Sequence, residues 1–277
     1  LLAGVVDGHR VGFEADYVSV SELEALRKAC PEGVTLVPVS GAVEEIRLLK
    51  DQLELTRLEE AADLATQALE QLIDAGELAP GRSERDVAAD LEYRMRKLGA
   101  ERPSFDTIVA SGPNSAKPHH GAGERTLETG DLVTIDYGMF RLGFNSDMTR
   151  TFALGEPNDF LREIYEVTLQ SQLAGVRAAV PGAKLVDVDA ACRDVIEAAG
   201  YGEYFVHSTG HGVGLDVHEA PYAAKTGKGT LQEGMTLTIE PGIYVPGRGG
   251  VRIEDTLFIT SGAPKVITKF PKDLTVL

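Results

Sequence analysis

Four carboxylates occupy positions where the surrounding residues are typical of β-strands. Asp136 ends the run Leu-Val-Thr-Ile, and Glu240 ends Leu-Thr-Ile. Glu254 follows Val-Arg-Ile, and Asp147 precedes Met-Thr-Arg-Thr-Phe. Asp is depleted in strands, and burying an unpaired carboxylate costs several kcal/mol by rough estimate. These acids therefore need cations or protons as neighbours, unless a strand turns one of them outward to water.

An internal repeat relates the four acids in pairs. Glu240 follows Asp136 by 104 positions, and Glu254 follows Asp147 by 107. Upstream, Pro181-Gly182 follows Pro80-Gly81 by 101 positions. Residues from about 55 to 261 therefore form two copies of a helix–helix–strand–strand unit, which predicts an α+β domain with a pseudo-twofold axis.

The pseudo-twofold relation would bring the four acids towards one centre. Four converging carboxylates cannot all stay ionised unless cations neutralise them. Arg150 and Arg252 are alternative partners, but two guanidinium groups balance four acids less well than two divalent ions would.

Helical and extended patterns supply the elements of this repeat. Apolar residues recur every three or four positions at Leu58, Ala62, Ala65, Leu69 and Leu72, which indicates one buried helix face. We predict helical segments over 43–78, 83–98, 158–180 and 186–199. The predicted strands, which form a curved antiparallel sheet, are 132–140, 149–154, 235–245 and 251–260.

Residues 1–40 form a separate, short piece. Strands are predicted at Val11–Glu14 and Thr35–Val39, with a helix over Ser21–Cys30 whose Ser21 and Glu24 have capping-box spacing. This piece is too small for a convincing domain and is expected to be the last part of an α/β domain. We therefore divide the chain into residues 1–40 and a main domain over 41–277, and leave open whether a segment precedes Leu1.

Composition excludes several classes of protein. The formal net charge of −16 over 277 residues argues against binding to nucleic acid. No apolar stretch reaches the roughly 18 residues of a membrane span. The two cysteines, Cys30 and Cys192, are too few for a disulfide framework, so a cytoplasmic location is expected.

Five of the six histidines fall in two short stretches, His119–His120 and His207 to His218. Within the second stretch, His211 is flanked by Gly210 and Gly212, which would let its backbone approach another segment closely. The glycine-rich stretch lacks the Lys-Ser/Thr of a phosphate-binding loop, so we reject that interpretation.

Together these motifs resemble the proline-specific branch of the pita-bread metallopeptidases, which comprises Xaa-Pro aminopeptidases and Xaa-Pro dipeptidases (prolidases). The resemblance extends from Glu44 to Thr260, and residues 1–40 resemble the end of the N-terminal domain of such enzymes. Its motifs are Pro-His119, Thr-Ile-Asp136-Tyr-Gly, Ser-Asp147-Met-Thr, His207 to Glu219, Ile-Glu240-Pro-Gly and Arg-Ile-Glu254-Asp.

The resemblance implies two divalent metal ions and a set of ligands. Asp136 would bind one ion, and His211 and Glu240 the other. Asp147 and Glu254 would bridge them. One imidazole and four carboxylates suit Mn²⁺, with Co²⁺ and Zn²⁺ as alternatives.

The resemblance also implies a reaction. A hydroxide that bridges the two ions would attack the scissile Xaa-Pro carbonyl, and Glu240 would pass a proton to the leaving proline nitrogen. His119 and His218 would stabilise the tetrahedral intermediate and position the substrate. His207 would border the proline pocket, and Arg252 would order the ligands or bind a substrate carboxylate. The expected partners are short proline-containing peptides, and a homodimer is consistent with the family.

Two positions depart from the family pattern. Phe144 stands where Tyr is common, so a hydrogen bond near the metals is expected to be missing. Tyr222 stands where prolidases often have Arg, which questions whether a dipeptide carboxylate is recognised there.

Three alternatives share the same fold. The first is a peptidase of other specificity, such as a methionine aminopeptidase; His207 and the Gly-Val-Arg-Ile-Glu-Asp strand favour the proline-specific branch. The second is a non-catalytic module that binds peptides, and the third is a hydrolase resembling creatinase. Such modules and hydrolases typically lack metal ligands that this chain retains.

Overall fold

The computed structural model describes residues 10–277. Contacts between residues divide the chain into two compact units after Arg47. The first unit contains β1 (Arg10–Glu14), α1 (Val20–Ala29), β2 (Thr35–Val39) and α2 (Ala42–Arg47). β1 and β2 pair in parallel, as expected for the end of an α/β domain.

The helix cap predicted in this first unit was wrong by two residues. Ser19, not Ser21, caps α1, and its partner in the capping box is Glu22 rather than Glu24. Ser19 has extended backbone angles, which leave its side-chain oxygen free to accept from the Glu22 N–H. Both serines fit the sequence pattern, and only the backbone conformation distinguishes them.

The second unit contains four long helices arranged as two successive pairs. They are α3 (Gln52–Asp74), α4 (Glu84–Lys97), α5 (Asp159–Ala178) and α6 (Leu185–Ala198). The pattern predicted as one helical segment over 43–78 is interrupted, because Asp51 caps α3 by accepting from Leu53 N and Glu54 N. The predicted apolar face of α3 is confirmed: all five of its residues are buried.

Short strands follow each pair of helices. After α4 come β3 (Arg102–Pro103), β4 (Ile108–Ser111), β5 (Leu132–Tyr137), β6 (Met139–Arg141), β7 (Phe144–Asn145) and β8 (Met148–Ala153). After α6 come β9 (Gly210–Gly212), β10 (Glu219–Ala223), β11 (Thr236–Ile239), β12 (Gly242–Val245), β13 (Gly249–Arg252), β14 (Asp255–Phe258) and β15 (Lys265–Val266).

The strand pairing follows the repeat. β5 pairs antiparallel with β8, and β11 pairs antiparallel with β14. Each half has its own apolar core, one between α3, α4 and the β4–β5–β8 sheet and one between α5, α6 and β11, β13 and β14. The α+β class and the helix–helix–strand–strand repeat are therefore confirmed.

Three of the four predicted strands are interrupted, each within two residues of one of the acids of the repeat. The segment 235–245 breaks at Glu240-Pro241, because proline cannot donate a ladder hydrogen bond. The segment 251–260 breaks at Ile253-Glu254, where Glu254 N donates instead to Thr149 O at 3.1 Å. The segment 132–140 breaks at Gly138. In a regular strand, successive side chains point to alternate faces of the sheet, and a break in the strand next to an acid frees its side chain from that constraint.

Within residues 10–277, no helix is both long enough and apolar enough to cross a membrane.

Candidate metal centre

The predicted metal ligands lie at the inner ends of the strands of both halves. Asp136 is in β5, and Asp147 immediately precedes β8. Glu240 follows β11, Glu254 separates β13 from β14, and His211 is the middle residue of β9. The residues of the two halves thus converge, as the repeat predicted.

Glycines position His211. A Cβ at Gly210 would collide with Thr238 O, and one at Gly212 would collide with Ala220 O, so only glycine allows β9 to lie this close to its neighbours. The His211 Nδ1 lies 3.0 Å from Gly212 O. Because a carbonyl only accepts, Nδ1 carries a proton, and Nε2 is the nitrogen that faces the acids and is available to a metal ion.

Among residues 10–277, three overlapping groups of side chains have the composition of a metal site. They are Asp136–Asp147–Glu254, His211–Glu240–Glu254 and Asp147–His211–His218, and in each group the potential ligand atoms lie within 4.8 Å of one another. The His211 Nε2 is 3.2 Å from Glu240 Oε1 and 3.7 Å from Asp147 Oδ2. Asp147, Glu254 and His211 each belong to two groups. Each carboxylate has two oxygens with which to contact two ions, whereas the Nδ1 of His211 bonds to Gly212 O and leaves it one nitrogen.

The carboxylates have electrostatic properties that call for a cation. Burial raises the pKa of Asp147 well above its ordinary value, and the charges of Glu254 and Asp136 raise it further. Burial likewise raises the pKa of Glu254, with Glu240 and Asp136 adding to the shift. A cation bound between these groups would oppose both shifts, because it stabilises the ionised carboxylates.

Glu240 behaves differently because it contacts His211. Burial alone would raise the pKa of Glu240, but the hydrogen bond and charge of His211 lower it to about 2. The pKa of His211 is raised in turn: burial opposes its protonation, but Glu240 favours it. A metal ion between the two groups would take over the charge that His211 supplies here.

Arg252 is buried and connects several residues at the edge of the centre. Its Nη2 donates to Asp136 Oδ2 at 2.7 Å, and its Nη1 donates to Tyr244 Oη at 2.8 Å. Its Nε donates to Thr149 Oγ1, and Thr149 donates to Glu254 Oε2 at 2.7 Å. The other Asp136 oxygen, Oδ1, is buried and has no hydrogen-bond partner among the described residues. An unsatisfied buried carboxylate oxygen fits a site that binds a metal ion.

The three predicted substrate-binding histidines line the same cavity as the predicted metal ligands. This cavity has a volume of about 500 Å³, and His119, His207 and His218 are all in its wall. The rings of His211 and His218 meet edge to face, with centroids 4.4 Å apart. Burial lowers the pKa of His218, and the charge of His211 lowers it further.

His207 is held as a neutral imidazole. Its Nδ1 lies 2.8 Å from Ser208 O, and its Nε2 lies 2.8 Å from Tyr244 Oη. Burial lowers the pKa of His207, with a further contribution from the charge of Arg252. The Tyr244 hydroxyl therefore donates to His207 and accepts from Arg252, which links the cavity wall to Asp136.

Comparison with known proteins identifies the family. The model of metallopeptidase family M24 matches residues 56–261, and that of the creatinase/prolidase N-terminal domain matches residues 1–49. The chain belongs to metallopeptidase family M24. The resemblance inferred from the motifs is confirmed, and the chain is a metallopeptidase.

Relatives of this M24 metallopeptidase include named dipeptidases and an aminopeptidase. The Xaa-Pro dipeptidase of Pyrococcus furiosus is 46% identical over 236 residues, which cover 85% of this chain and 67% of that protein. The solved Xaa-Pro dipeptidase from Bacillus anthracis superposes with a TM-score of 0.94 at 48% identity, covering 97% of this chain and 74% of that one. The solved X-Pro aminopeptidase from Thermotoga maritima superposes with a TM-score of 0.92 at 34% identity, covering 97% of this chain and 75% of that one.

Several residues that support the centre of the M24 metallopeptidase were missed in the sequence. Tyr244, Thr149 and Thr238 all bond to predicted site residues, and Thr238 Oγ1 donates to Glu240 Oε1 at 3.1 Å. A signal was present, because Tyr244 ends the Glu-Pro-Gly-Ile-Tyr motif and the threonines recur in both halves of the repeat.

The two departures from the family pattern have different surroundings in this metallopeptidase. Phe144 is buried in a small apolar cluster with Leu58 and Val213, so its ring serves packing. Tyr222 is half exposed and lines the cavity. It is therefore placed where it could contact a bound peptide.

Proposed function

We propose that this metallopeptidase hydrolyses Xaa-Pro bonds, at the N-terminus of short peptides or in dipeptides, with two divalent metal ions. The observation that carries this proposal is the sharing of Asp147 and Glu254 between groups of potential ligands that also include Asp136, His211 and Glu240. The proline specificity in this proposal is based on the relatives that are named Xaa-Pro dipeptidase.

The residues present fit two ions. In our proposal Asp136 would hold one ion, His211 and Glu240 would hold the other, and Asp147 and Glu254 would be shared between the two. The oxygen-rich set favours Mn²⁺, with Co²⁺ and Zn²⁺ as alternatives. When bound, two such ions neutralise the carboxylates, polarise a carbonyl oxygen and lower the pKa of a water molecule.

The side chains of the chain then perform the remaining steps. Glu240 takes a proton from the attacking water and delivers it to the proline nitrogen as the C–N bond breaks. His119 and His218, on the wall of the cavity, donate hydrogen bonds to the oxygen of the tetrahedral intermediate. The neutral His207 borders the proline ring.

We assign Arg252 to ordering the centre rather than to binding substrate. All three of its nitrogen atoms already donate to protein acceptors, and one of these is Asp136. These bonds use four of the five N–H groups and leave one on Nη2, so a substrate carboxylate could bind bidentately only by replacing one of them.

Metal-stripped protein tests the proposal directly. We expect Mn²⁺ to restore cleavage of Ala-Pro and Ala-Pro-Ala but not of Ala-Ala or Met-Ala, with two ions bound per chain by elemental analysis. Cleavage of Met-Ala in preference to both proline peptides would contradict the specificity. One ion per fully active chain would contradict the shared-ligand arrangement.

Three further predictions belong to the same proposal. They are a homodimer, a cytoplasmic location and a catalytic domain that covers residues 41–277. Light scattering of the purified chain checks the first, and expression of residues 41–277 alone checks whether that domain folds and binds Mn²⁺.

A further inference from the structure

Glu84, the first residue of α4, is completely buried although it carries a charge. It is not among the residues that line the cavity of the candidate metal centre. A buried carboxylate must be hydrogen-bonded or paired, because its desolvation is costly. The partners of Glu84 therefore indicate what the residue does.

The partners of Glu84 all come from one segment of the chain, residues 111–123. Oε1 accepts hydrogen bonds from Ser111 N at 2.8 Å, Ser111 Oγ at 2.7 Å and Asn114 Nδ2 at 3.0 Å. Oε2 accepts from His120 Nε2 at 2.7 Å and from Gly123 N at 3.2 Å. Burial alone would raise the pKa of Glu84, but the hydrogen bonds of Asn114, Ser111 and His120 lower it. The carboxylate is thus an ionised anchor for the beginning and the end of this segment.

His119 lies between two anchored neighbours. On one side, Pro118 O accepts from Arg252 Nη1 at 3.1 Å. On the other, the His120 ring bonds to Glu84. His119 itself is exposed, and its imidazole makes no hydrogen bond within residues 10–277. The position of its ring in the cavity therefore depends on the backbone that its neighbours hold.

The second half of the repeat has a similar arrangement. There, a buried acid of its second helix, α6, binds the backbone of the segment that contains His207. Asp189 on α6 accepts from Thr209 N and Oγ1, at 3.2 and 2.9 Å. It also pairs with Arg193, which donates to His207 O at 3.0 Å. In both halves, an acid of the second helix fixes backbone next to a cavity histidine.

We propose that Glu84 and His120 are positioning residues, which fix the backbone next to His119 so that its ring faces the scissile bond. The proposal rests on the role proposed for His119. His120 also borders the cavity, but its Nε2 is directed to Glu84. In this assignment neither residue touches the reacting atoms.

A matched pair of variants tests the His120–Glu84 hydrogen bond. His120→Leu removes the donor, whereas His120→Gln retains one. Because a displacement of about 1 Å can cost about 100-fold in rate, we expect His120→Leu to lower kcat by about 10- to 100-fold with KM within about 3-fold. His120→Gln should retain most of kcat. Glu84→Gln should resemble His120→Leu, and Glu124→Ala, a change at the solvated pair of Glu124 with Arg85, should leave kcat unchanged.

A double-mutant cycle separates positioning from a general structural effect. If His120 acts through His119, then His120→Leu should lower kcat by less than about 2-fold once His119 has been replaced by Ala. An equal loss in both backgrounds would overturn the proposal, as would full activity of His120→Leu in the native background. Mn²⁺ content equal to that of the unchanged protein verifies that the centre is intact.

Hydrogen exchange provides a readout that does not depend on peptidase activity. His120→Leu should speed amide exchange in residues 112–123 and not in α5, whereas His120→Gln should not. If the unchanged protein cleaves no Xaa-Pro peptide, the proposed function fails while this measurement still tests the anchor. Unchanged exchange in His120→Leu would overturn the positioning role even if the enzyme is active.

Discussion

The guanidinium of Arg252 donates to Asp136 across the two halves of the repeat, with Nη2 and Oδ2 2.7 Å apart. The two residues are 116 positions apart in the sequence. Arg252 occupies one oxygen of the proposed ligand and leaves the other for a metal ion. It therefore orients Asp136 in the way that outer residues orient metal ligands in other enzymes.

Replacing Arg252 should weaken the centre without unfolding the protein. We expect Arg252→Gln to lower Mn²⁺ affinity or kcat/KM by about 10- to 100-fold, the usual effect of removing a partner of a metal ligand. Titration calorimetry of Mn²⁺ and steady-state kinetics measure the two quantities. Arg248→Gln is the control, because Arg248 is exposed, its guanidinium lies over the Phe160 ring, and it is not among the residues that line the cavity. Equal effects of both variants would contradict the orienting role.

The metal-free protein should be stabilised by removing one of the clustered charges. In Asp147→Asn the amide no longer repels Glu254 and Asp136, whose charges contribute to the raised pKa of Asp147. We expect Tm of the stripped variant to exceed that of the stripped native chain by about 2–4 °C for each kcal/mol of relieved repulsion.

Adding Mn²⁺ should reverse this order. The native chain gains stability by binding metal, about 2.7 kcal/mol at a free concentration 100 times Kd, whereas Asp147→Asn gains less. Thermal unfolding in chelator and in Mn²⁺ measures both states. If Asp147→Asn is less stable than the native chain in chelator as well, the carboxylate serves the fold rather than a metal.

A second buried network, centred on Arg150, should contribute strongly to the free energy of unfolding. Arg150 donates to Asp255 Oδ1 at 2.8 Å and also to the carbonyls of Phe270 and Pro271, and both charged residues are almost inaccessible. Arg150→Met leaves Asp255 with Lys272 as its cationic partner. We expect a loss of about 3–5 kcal/mol in the free energy of unfolding, measured by urea denaturation.

The control for this network is an exposed ion pair of the same unit. Lys269 and Asp63 are 2.6 Å apart but largely solvated. We expect Lys269→Met to change the free energy of unfolding by less than about 1 kcal/mol. A similar loss in both variants would mean that burial of the Arg150 pair has no special effect.

Tyr222 should influence the length of the preferred peptide. A guanidinium at this half-exposed position of the cavity wall could bind the carboxylate of a dipeptide's proline bidentately, which a phenol cannot do. We expect Tyr222→Arg to raise the ratio of kcat/KM for Ala-Pro over Ala-Pro-Ala by about 10-fold, equivalent to about 1.4 kcal/mol. Tyr222→Phe is the control and should leave the ratio near its native value. A ratio unchanged by Arg would exclude this position from carboxylate recognition.

The repeat explains why so much of the centre could be predicted. Asp136 and Glu240, and Asp147 and Glu254, occupy equivalent strand ends, so a pseudo-twofold axis brings them together once each half folds. Of the two arginines considered as alternative partners for the four acids, only one pairs with any of them. Arg150 pairs with Asp255, and Arg252 pairs with Asp136.

The sequence by itself determined the two-copy architecture, the helices and the segments that bring the acids and histidines inward, because periodicity and repeated motifs are local properties of the chain. Only the tertiary structure decided which Ser caps α1, where the strands break, and that Glu84 anchors the segment of His119. Those outcomes depend on backbone conformation and on contacts between residues far apart in the chain. Such contacts leave no periodic signal, since a buried Glu at the start of a helix resembles an ordinary exposed one until its partners are known.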